Sequence, residues 1–366
     1  MFRAIGVVMF GFCAMNVMAQ DTTPHGAIIM TMPGELVSVG THRLHIHCTG
    51  SGTPTVVIDS GLGGFSLEWN NIQKPLSGSM QVCTYDRAGY GWSDPGPEPR
   101  TTQQIVKELH ALLINAEIPG PYILVGHSFG GYNVRYYASI YPDEVLGLVL
   151  VDASHPEQFD RLPQPELKTA AAKRSNSWTV HLSHPVIPDN YPEQAKRLAF
   201  VLMSTYKASH AQMKEWNSFE TSARQVAGTD KLPDVPLTVV TRGKRVWPHN
   251  EFGDKSELVW AEMQDELCRL TSHSEHLIAM QSGHLVHLDE PELVVSAIVN
   301  TAVTARKIDE IRLAENRQTP ASPVTERLLL VSNNYLQPLY RSITSTFHNI
   351  YDARGKSAAD DFVLTR

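Results

Sequence analysis

Residues Tyr122 to Gly131 read YILVGHSFGG. An apolar run of the kind that forms a buried strand stops at Gly126, a serine stands two places on, and glycine returns at Gly130. The segment after it, YNVRYYASIYP, has the pattern of a helix. A serine in a tight strand-to-helix turn is held in a strained backbone conformation that crowds the positions two before and two after it, and glycine at both relieves the clash. Such a turn lifts the hydroxyl clear of the backbone at the C-terminal end of the strand. It also aims the unused N–H groups of the new helix at the same place. A plain Gly-rich turn or a phosphate loop is the competing reading, but the G-K-[ST] ending of a phosphate loop is missing. The strand–turn–helix setting favours Ser128 as a displayed nucleophile.

A serine hydroxyl attacks only when a base takes its proton. His284, in QSGHLVHLDEPELV, follows a short apolar strand and Gly283, and comes late in the chain, as the order nucleophile–acid–histidine requires. His127 adjoins the serine and is expected to point away from the hydroxyl. His287 is the runner-up base, expected behind the reacting groups or at the surface, and His155 is expected where an insertion begins. A tetrahedral oxyanion needs two fixed N–H donors, each worth about 3 kcal/mol in the transition state. Phe129, next after the nucleophile, supplies one. Leu62, in the GLGG stretch that follows the strand TVVIDS, supplies the other.

The rest of the chain supports a sheet that displays such a turn. ELVSVGTHRLHIHCTG reads as two antiparallel strands around Gly40; TPTVVIDS, MQVCTYD, PYILVG, EVLGLVLVD, VPLTVVT and EHLIAM read as further strands. Helical patterns alternate with them, TTQQIVKELHALLINA and PELVVSAIVNTAVTA being the clearest, and Thr101 with Gln104 fits a capping box. Buried strands alternating with helices predict a parallel sheet covered on both faces. The alternation breaks over 156–232, a mostly helical stretch carrying Trp178, Phe200, Tyr206, Trp216 and Phe219, read as a lid or cap. The core is then 35–155 and 233–305, and 306–366 is an extension of unassigned role.

Composition sets limits on function and compartment. A net charge of −7, without a long Lys/Arg run, argues against a nucleic-acid partner. The first residues, MFRAIGVVMFGFCAMNVMAQ, combine Arg3, an apolar stretch from Ala4 to Val17 and small residues before Gln20. They read as a signal peptide over 1–19, cut between Ala19 and Gln20, which places the mature protein in the periplasm or outside the cell, with no stable membrane span after cleavage. Cys48, Cys83 and Cys268 remain, enough for one disulfide and one free thiol in an oxidising compartment. His42, His45 and His47 lie on one strand; a metal site is the sharper reading and a solvated strand face the favoured one.

Taken together, GHSFGG, YDRAGYGWSD, SGLGG and SGH…HLDEPELV resemble the α/β-hydrolase superfamily, over about Glu35 to Ala305 and in the superfamily's order. The resemblance implies an α/β fold with an eight-stranded, mostly parallel sheet flanked by helices, a helical lid insertion, a Ser-His-acid triad, and neither metal nor cofactor. It makes Asp86, Arg87 and Gly89 structural. It also lays the second strand antiparallel beside the fourth, bringing Cys48 towards Cys83; a disulfide between them is expected, with two free buried thiols as the alternative.

The sequence departs from the superfamily pattern at the acid. The loop after PLTVVT runs RGKRVWPHNEFGDKSE and lacks the usual Gly-x-x-Asp, its first acids being Glu251 and Asp254. The preceding strand ends on Asp152, a position that resembles the acid of haloalkane dehalogenases. From there an acid still orients the imidazole. Asp152 is preferred, Asp254 is the alternative, and a strand-end cap is the structural reading of Asp152. Serine at the nucleophile position disfavours epoxide-hydrolase and dehalogenase chemistry, which in related families uses aspartate.

The expected activity is an exported serine hydrolase acting on a small-molecule carboxylic ester. Amide or peptide cleavage, lactone hydrolysis and acyl transfer on the same triad are alternatives, and a non-catalytic binding protein of the same fold is the reading from a different class. Oligomeric state is not legible from the sequence.

Overall fold

The computed structural model describes residues 32–163, 193–229 and 232–317. The expected signal peptide, the central part of the expected lid and most of the C-terminal extension lie outside these residues. Eight strands form one sheet in the order β1-β2-β4-β3-β5-β6-β7-β8. They are β1 (Glu35–Ser38), β2 (Arg43–Thr49), β3 (Thr55–Asp59), β4 (Val82–Tyr85), β5 (Tyr122–His127), β6 (Val145–Val151), β7 (Leu237–Arg242) and β8 (Ser274–Ala279). β1–β2 and β2–β4 pair antiparallel, and every other neighbouring pair is parallel.

The central strands carry apolar residues on both faces because both faces are covered. On β5, Tyr122 and Leu124 join one core while Ile123 and Val125 join the other; on β6, Leu148 and Leu150 alternate in the same way with Val149 and Val151. The first core is closed by α2 (Thr102–Asn115) and α3 (Gly130–Ile140), through Val106, Leu109, Val134 and Tyr137. The second is closed by α1 (Asn70–Leu76) and α9 (Pro291–Arg317), through Ile72, Leu76, Val294 and Ile298. α9 runs without a break past residue 306, where the extension was expected to begin.

Cys48 lies opposite Cys83 in the β2–β4 register, and the two are joined by a disulfide. Cys268 is a free thiol.

Short helices α4 (Gln158–Arg161) and α8 (Val286–Asp289), longer α5 (Glu193–Met203), α6 (Tyr206–Ala227) and α7 (Glu251–Leu267) complete the described chain. α5 and α6 fall inside 156–232. Phe219, Ala223 and Val226 of α6 pack on Ile105, Phe129 and Tyr132. This contact changes the start of α2. Thr101 and Gln104 do not form the expected capping box: the Thr101 side chain makes no cap bond, and Gln104 donates instead to Glu108 at 2.9 Å. The first α2 amides are satisfied from α6, Thr102 N donating to Ser222 Oγ and Gln103 N to Gln225 Oε1, both at 3.0 Å. A cap supplied from 120 residues away leaves no local sequence mark.

The histidine strand also differs from expectation. His45 is fully buried, with Nδ1 2.9 Å from Asp86 Oδ2, and His42 Nε2 lies 3.4 Å from Glu108 Oε1. The strand face is solvated only in part: the loop after β4 covers it around His45, where Ser93 and Asp94 bond to β2, while Arg43 is exposed and His47 half-buried.

Candidate active site

Ser128 follows β5 directly and has φ +49°. This is the strained left-handed conformation expected of a residue squeezed between a strand and a helix. The two glycines that permit it are locked by close approach: a Cβ at Gly126 would lie 2.6 Å from the Gly130 carbonyl oxygen, and one at Gly130 would collide with the Asp59 carbonyl.

Asp152 follows β6, the parallel neighbour of β5, with His127 opposite Val151 in register. Backbone bonds fix the two strand ends together: Ser128 N donates to Val151 O at 3.2 Å, Ser154 N to Ser128 O at 3.0 Å, and Asp152 N to Val240 O of β7 at 2.7 Å. Asp152 also has positive φ, +39°, which turns its carboxylate along the strand ends.

His284, in the loop between β8 and α8, reaches this carboxylate with Nδ1 2.6 Å from Asp152 Oδ2. The aspartate is wholly buried, while 37% of the histidine side chain stays exposed. Burial alone would raise the Asp152 carboxyl. The hydrogen bond and charge of His284, the charge of Arg242 and the Trp260 N–H more than offset this and hold it at about 2. Trp260 Nε1 donates to Asp152 Oδ1 at 2.8 Å, and Arg242 Nη1 donates to Oδ2 at 2.9 Å. Asp254, the alternative acid, lies in the first turn of α7, 67% exposed and paired with Arg245 at 2.6 Å.

His127 is packed against the His284 segment. Its Nε2 bonds to the His284 carbonyl at 2.8 Å, its ring lies 4.8 Å from that of His284, and Gly61 is pressed against both it and Ser128. Burial, with the nearby His287 and His284, pushes the His127 imidazole well below its usual value, so it is neutral. His287 is not at the surface. It is fully buried, stacked on Trp69 at 4.3 Å, and lowered to about 3 by burial and the proximity of His284. Two neutral rings thus sit behind His284. His155 is buried after β6, its carbonyl accepting from Tyr132 at 2.6 Å.

Among the described residues, neither the Phe129 nor the Leu62 amide donates to a protein acceptor, and the Ser128 hydroxyl makes no hydrogen bond. The serine–imidazole contact is therefore open, as is common before substrate binds. The Leu62 loop is held from behind. Arg87 Nη1 donates to Ser60 O at 2.6 Å and Nη2 to Gly61 O at 2.8 Å, so the amides that follow these carbonyls point away from Arg87. Arg87 in turn bonds Asp59 at 2.7 Å and, through two 2.8 Å bonds, Glu215 of α6, which also accepts from Tyr90 at 2.9 Å.

Sequence reasoning missed Arg242, Trp260, Glu215 and Glu68. The one available signal was the charged Arg242 closing the apolar strand LTVVTR. Glu68 stands beside Gly64 and 3.6 Å from His287 Nε2. Burial, against the opposing charge of Arg87, raises its carboxyl to about 8, so its contact with neutral His287 is uncharged. Among the described residues, His155, Glu157 and Glu266 come close enough to share a metal, but Arg161 already pairs with both carboxylates, at 3.3 and 2.6 Å. None of the described helices is long and apolar enough to cross a membrane.

Residues 54–178 match the family model for the alpha/beta hydrolase fold. The chain is 28% identical over 300 residues to the protein named "Probable transporter efuK" of Hormonema carpetanum, covering 72% of this chain and 42% of that one. It is 29% identical over 252 residues to the uncharacterized protein YqjL of Bacillus subtilis, covering 69% and 85%. Among solved structures it resembles a thermophilic esterase from Thermogutta terrifontis, with a TM-score of 0.50, 20% identity, and 72% and 96% of the two chains covered. The chain thus spans less than half of the first relative and most of the second. The family match covers the strand β5, its serine turn and β6, and the sheet order and strand directions complete the pattern: the chain has the α/β-hydrolase fold.

Proposed function

We propose that the protein is a serine hydrolase acting on a carboxylic ester. The observation that carries this reading is the 2.6 Å bond from a wholly buried Asp152 to His284, beside a serine at positive φ on the adjoining strand end. His284 Nε2 takes the Ser128 proton as Oγ adds to the ester carbonyl, and the carbonyl electron pair moves onto oxygen, where the Leu62 and Phe129 amides hold it. Collapse expels the alkoxide, which receives the proton from the imidazolium. Water then repeats the sequence on the acyl-enzyme, releasing acid and restoring the serine. Asp152, ionised throughout, fixes the imidazole tautomer and stabilises the imidazolium.

Esters are favoured over amides because an alkoxide leaves with less protonation than an amine. Amidase, lactonase or acyltransferase activity on the same groups is the second reading. The residues 156–232 serve as a lid over the site, a role supported by the seating of α6 on Phe129 and Arg87. Export is supported by the leader-like first 19 residues and by the Cys48–Cys83 disulfide, which suits an oxidising compartment.

The test is labelling with a fluorophosphonate, followed by rates on esters of increasing acyl length beside an aminoacyl amide and a lactone. Labelling abolished by Ser128→Ala is expected. A folded protein that fails to label, or labels equally after the substitution, would favour a non-catalytic role.

A further inference from the structure

Asp152 serves two donors at one oxygen. Its Oδ2 lies 2.6 Å from His284 Nδ1 and 2.9 Å from Arg242 Nη1, while Oδ1 accepts from Trp260 Nε1 at 2.8 Å and from the Arg242 amide at 3.3 Å. Arg242 is 3% exposed, and its guanidinium is held between the rings of Trp247 and Trp260, 4.7 and 4.8 Å from their centres. Its remaining arm donates to Glu257 Oε2 at 3.1 Å. Glu257 is fixed in turn by the amides of Val246 and Trp247, at 2.7 and 2.9 Å. Four side chains from four segments therefore form one bonded chain: Glu257 of α7, Arg242 of β7, Asp152 after β6 and His284 after β8.

A lone aspartate stabilises an adjacent imidazolium and raises its basicity. Here a permanent cation shares the same carboxylate oxygen, and a guanidinium cannot lose its proton to relieve the competition. We infer that Arg242 is a positioning residue that sets the basicity of His284 by sharing Asp152, and that Glu257 trims the effect from behind. The inference rests on the triad reading given above. A structural anchor alone would need neither the shared oxygen nor the paired rings, since the Arg242 amide already ties β7 to Asp152.

The sign follows from charge. Removing the Arg242 cation leaves Asp152 wholly to the imidazolium, so His284 becomes more basic and the acid limb of kcat/KM moves to higher pH. Removing the Glu257 anion strengthens Arg242 at Asp152, so the limb moves to lower pH. The other groups facing His284 are His127 from β5 and His287 from α8, with Glu68 of the turn Ser66–Trp69 behind His287. They are untouched by either change.

The experiment compares kcat/KM from pH 4 to 10 on an activated ester for the native protein, Arg242→Gln and Glu257→Gln. NMR titration of the His284 imidazole in the same proteins reads basicity without turnover. An upward shift of about one pH unit is expected for Arg242→Gln and a downward shift of a few tenths for Glu257→Gln. Lower rates with unmoved limbs and an unmoved imidazole titration would overturn the inference and leave Arg242 a structural anchor. If the native protein neither labels nor turns over, the triad reading fails, while the imidazole titrations still decide the coupling. Should Arg242→Gln not fold, Glu257→Gln decides alone, and no downward shift overturns the proposal.

Discussion

Ser128 and Asp152 share a backbone signature: at the ends of two adjacent parallel strands both have positive φ, +49° and +39°, and a 3.0 Å bond from Ser154 N to Ser128 O joins their turns. Strain at two neighbouring non-glycine positions costs stability, of the order of 1–3 kcal/mol each, and persists only where surrounding contacts enforce it. The two side chains it aims are the proposed nucleophile and the proposed acid.

Asp152→Asn keeps the shape of the carboxylate but lets His284 take the wrong tautomer. Steady-state kinetics are expected to show kcat falling by about 10³–10⁴-fold. Asp254→Asn removes only an exposed pair with Arg245, so activity within about twofold of native is expected. A large loss in Asp254→Asn with little in Asp152→Asn would reverse the assignment.

The glycines around the serine can be tested by size alone. Gly130→Ala drives a methyl into the Asp59 carbonyl, whereas a methyl at Gly78 meets nothing within 4 Å. Thermal unfolding should show Gly130→Ala destabilised by about 3 kcal/mol or more, or not folding, and Gly78→Ala near native.

Glu215 is a wholly buried anion whose partner, Arg87, also grips the carbonyls of Ser60 and Gly61. Glu215→Ala removes two of the bonds that hold a buried guanidinium and leaves it paired with Asp59 alone, and breaking a buried pair costs about 3–5 kcal/mol. Glu215→Gln keeps the volume and one acceptor. It is expected to retain more of the melting temperature while lowering kcat more than it raises KM, because the proposed role of the Leu62 amide is in the transition state. Equal loss in kcat for a series of unrelated surface substitutions of matched stability would remove the link.

Stability above pH 6.5 tests the pocket around Glu68. Its buried carboxyl stays protonated to about 8, while in the unfolded chain it ionises near 4.5. The unfolded state therefore loses its proton first, and stability falls as pH rises from about 4.5 to 8, by up to about 1.4 kcal/mol per pH unit. His287 acts with the opposite sign: held at about 3 instead of 6.5, it costs stability as pH falls below about 6.5. Above 6.5 the Glu68 effect stands without that opposition. Melting curves for Glu68→Gln should fall less between pH 6.5 and 8 than those of the native protein, and parallel curves would contradict the protonated carboxyl.

The sheet was legible because its central strands are apolar on both faces, and Ser128 because its turn needs small residues at fixed offsets. His284 and Asp152 were legible as strand-end residues in the right chain order. Arg242, Trp260 and Glu257 were not, since they meet Asp152 only through folding and follow no spacing rule. The same holds for His45 and His287: each is a polar residue between apolar neighbours, and the contacts that bury it come from segments far along the chain. The capping box failed for a related reason: α6 supplies acceptors for the Thr102 and Gln103 amides, and Gln104 turns to Glu108.

The two-armed bond from Glu215 to Arg87, spanning 128 positions of chain, also bears on how this protein could be re-engineered. The helix that carries Glu215 is not an interchangeable cover. A cap grafted from another protein of this fold would leave Arg87 paired with Asp59 alone and free to shift from the Leu62 loop it braces, unless a carboxylate arrived at the same place. New specificity is therefore best sought by changing side chains on the existing α6, or by replacing segments that do not reach Arg87.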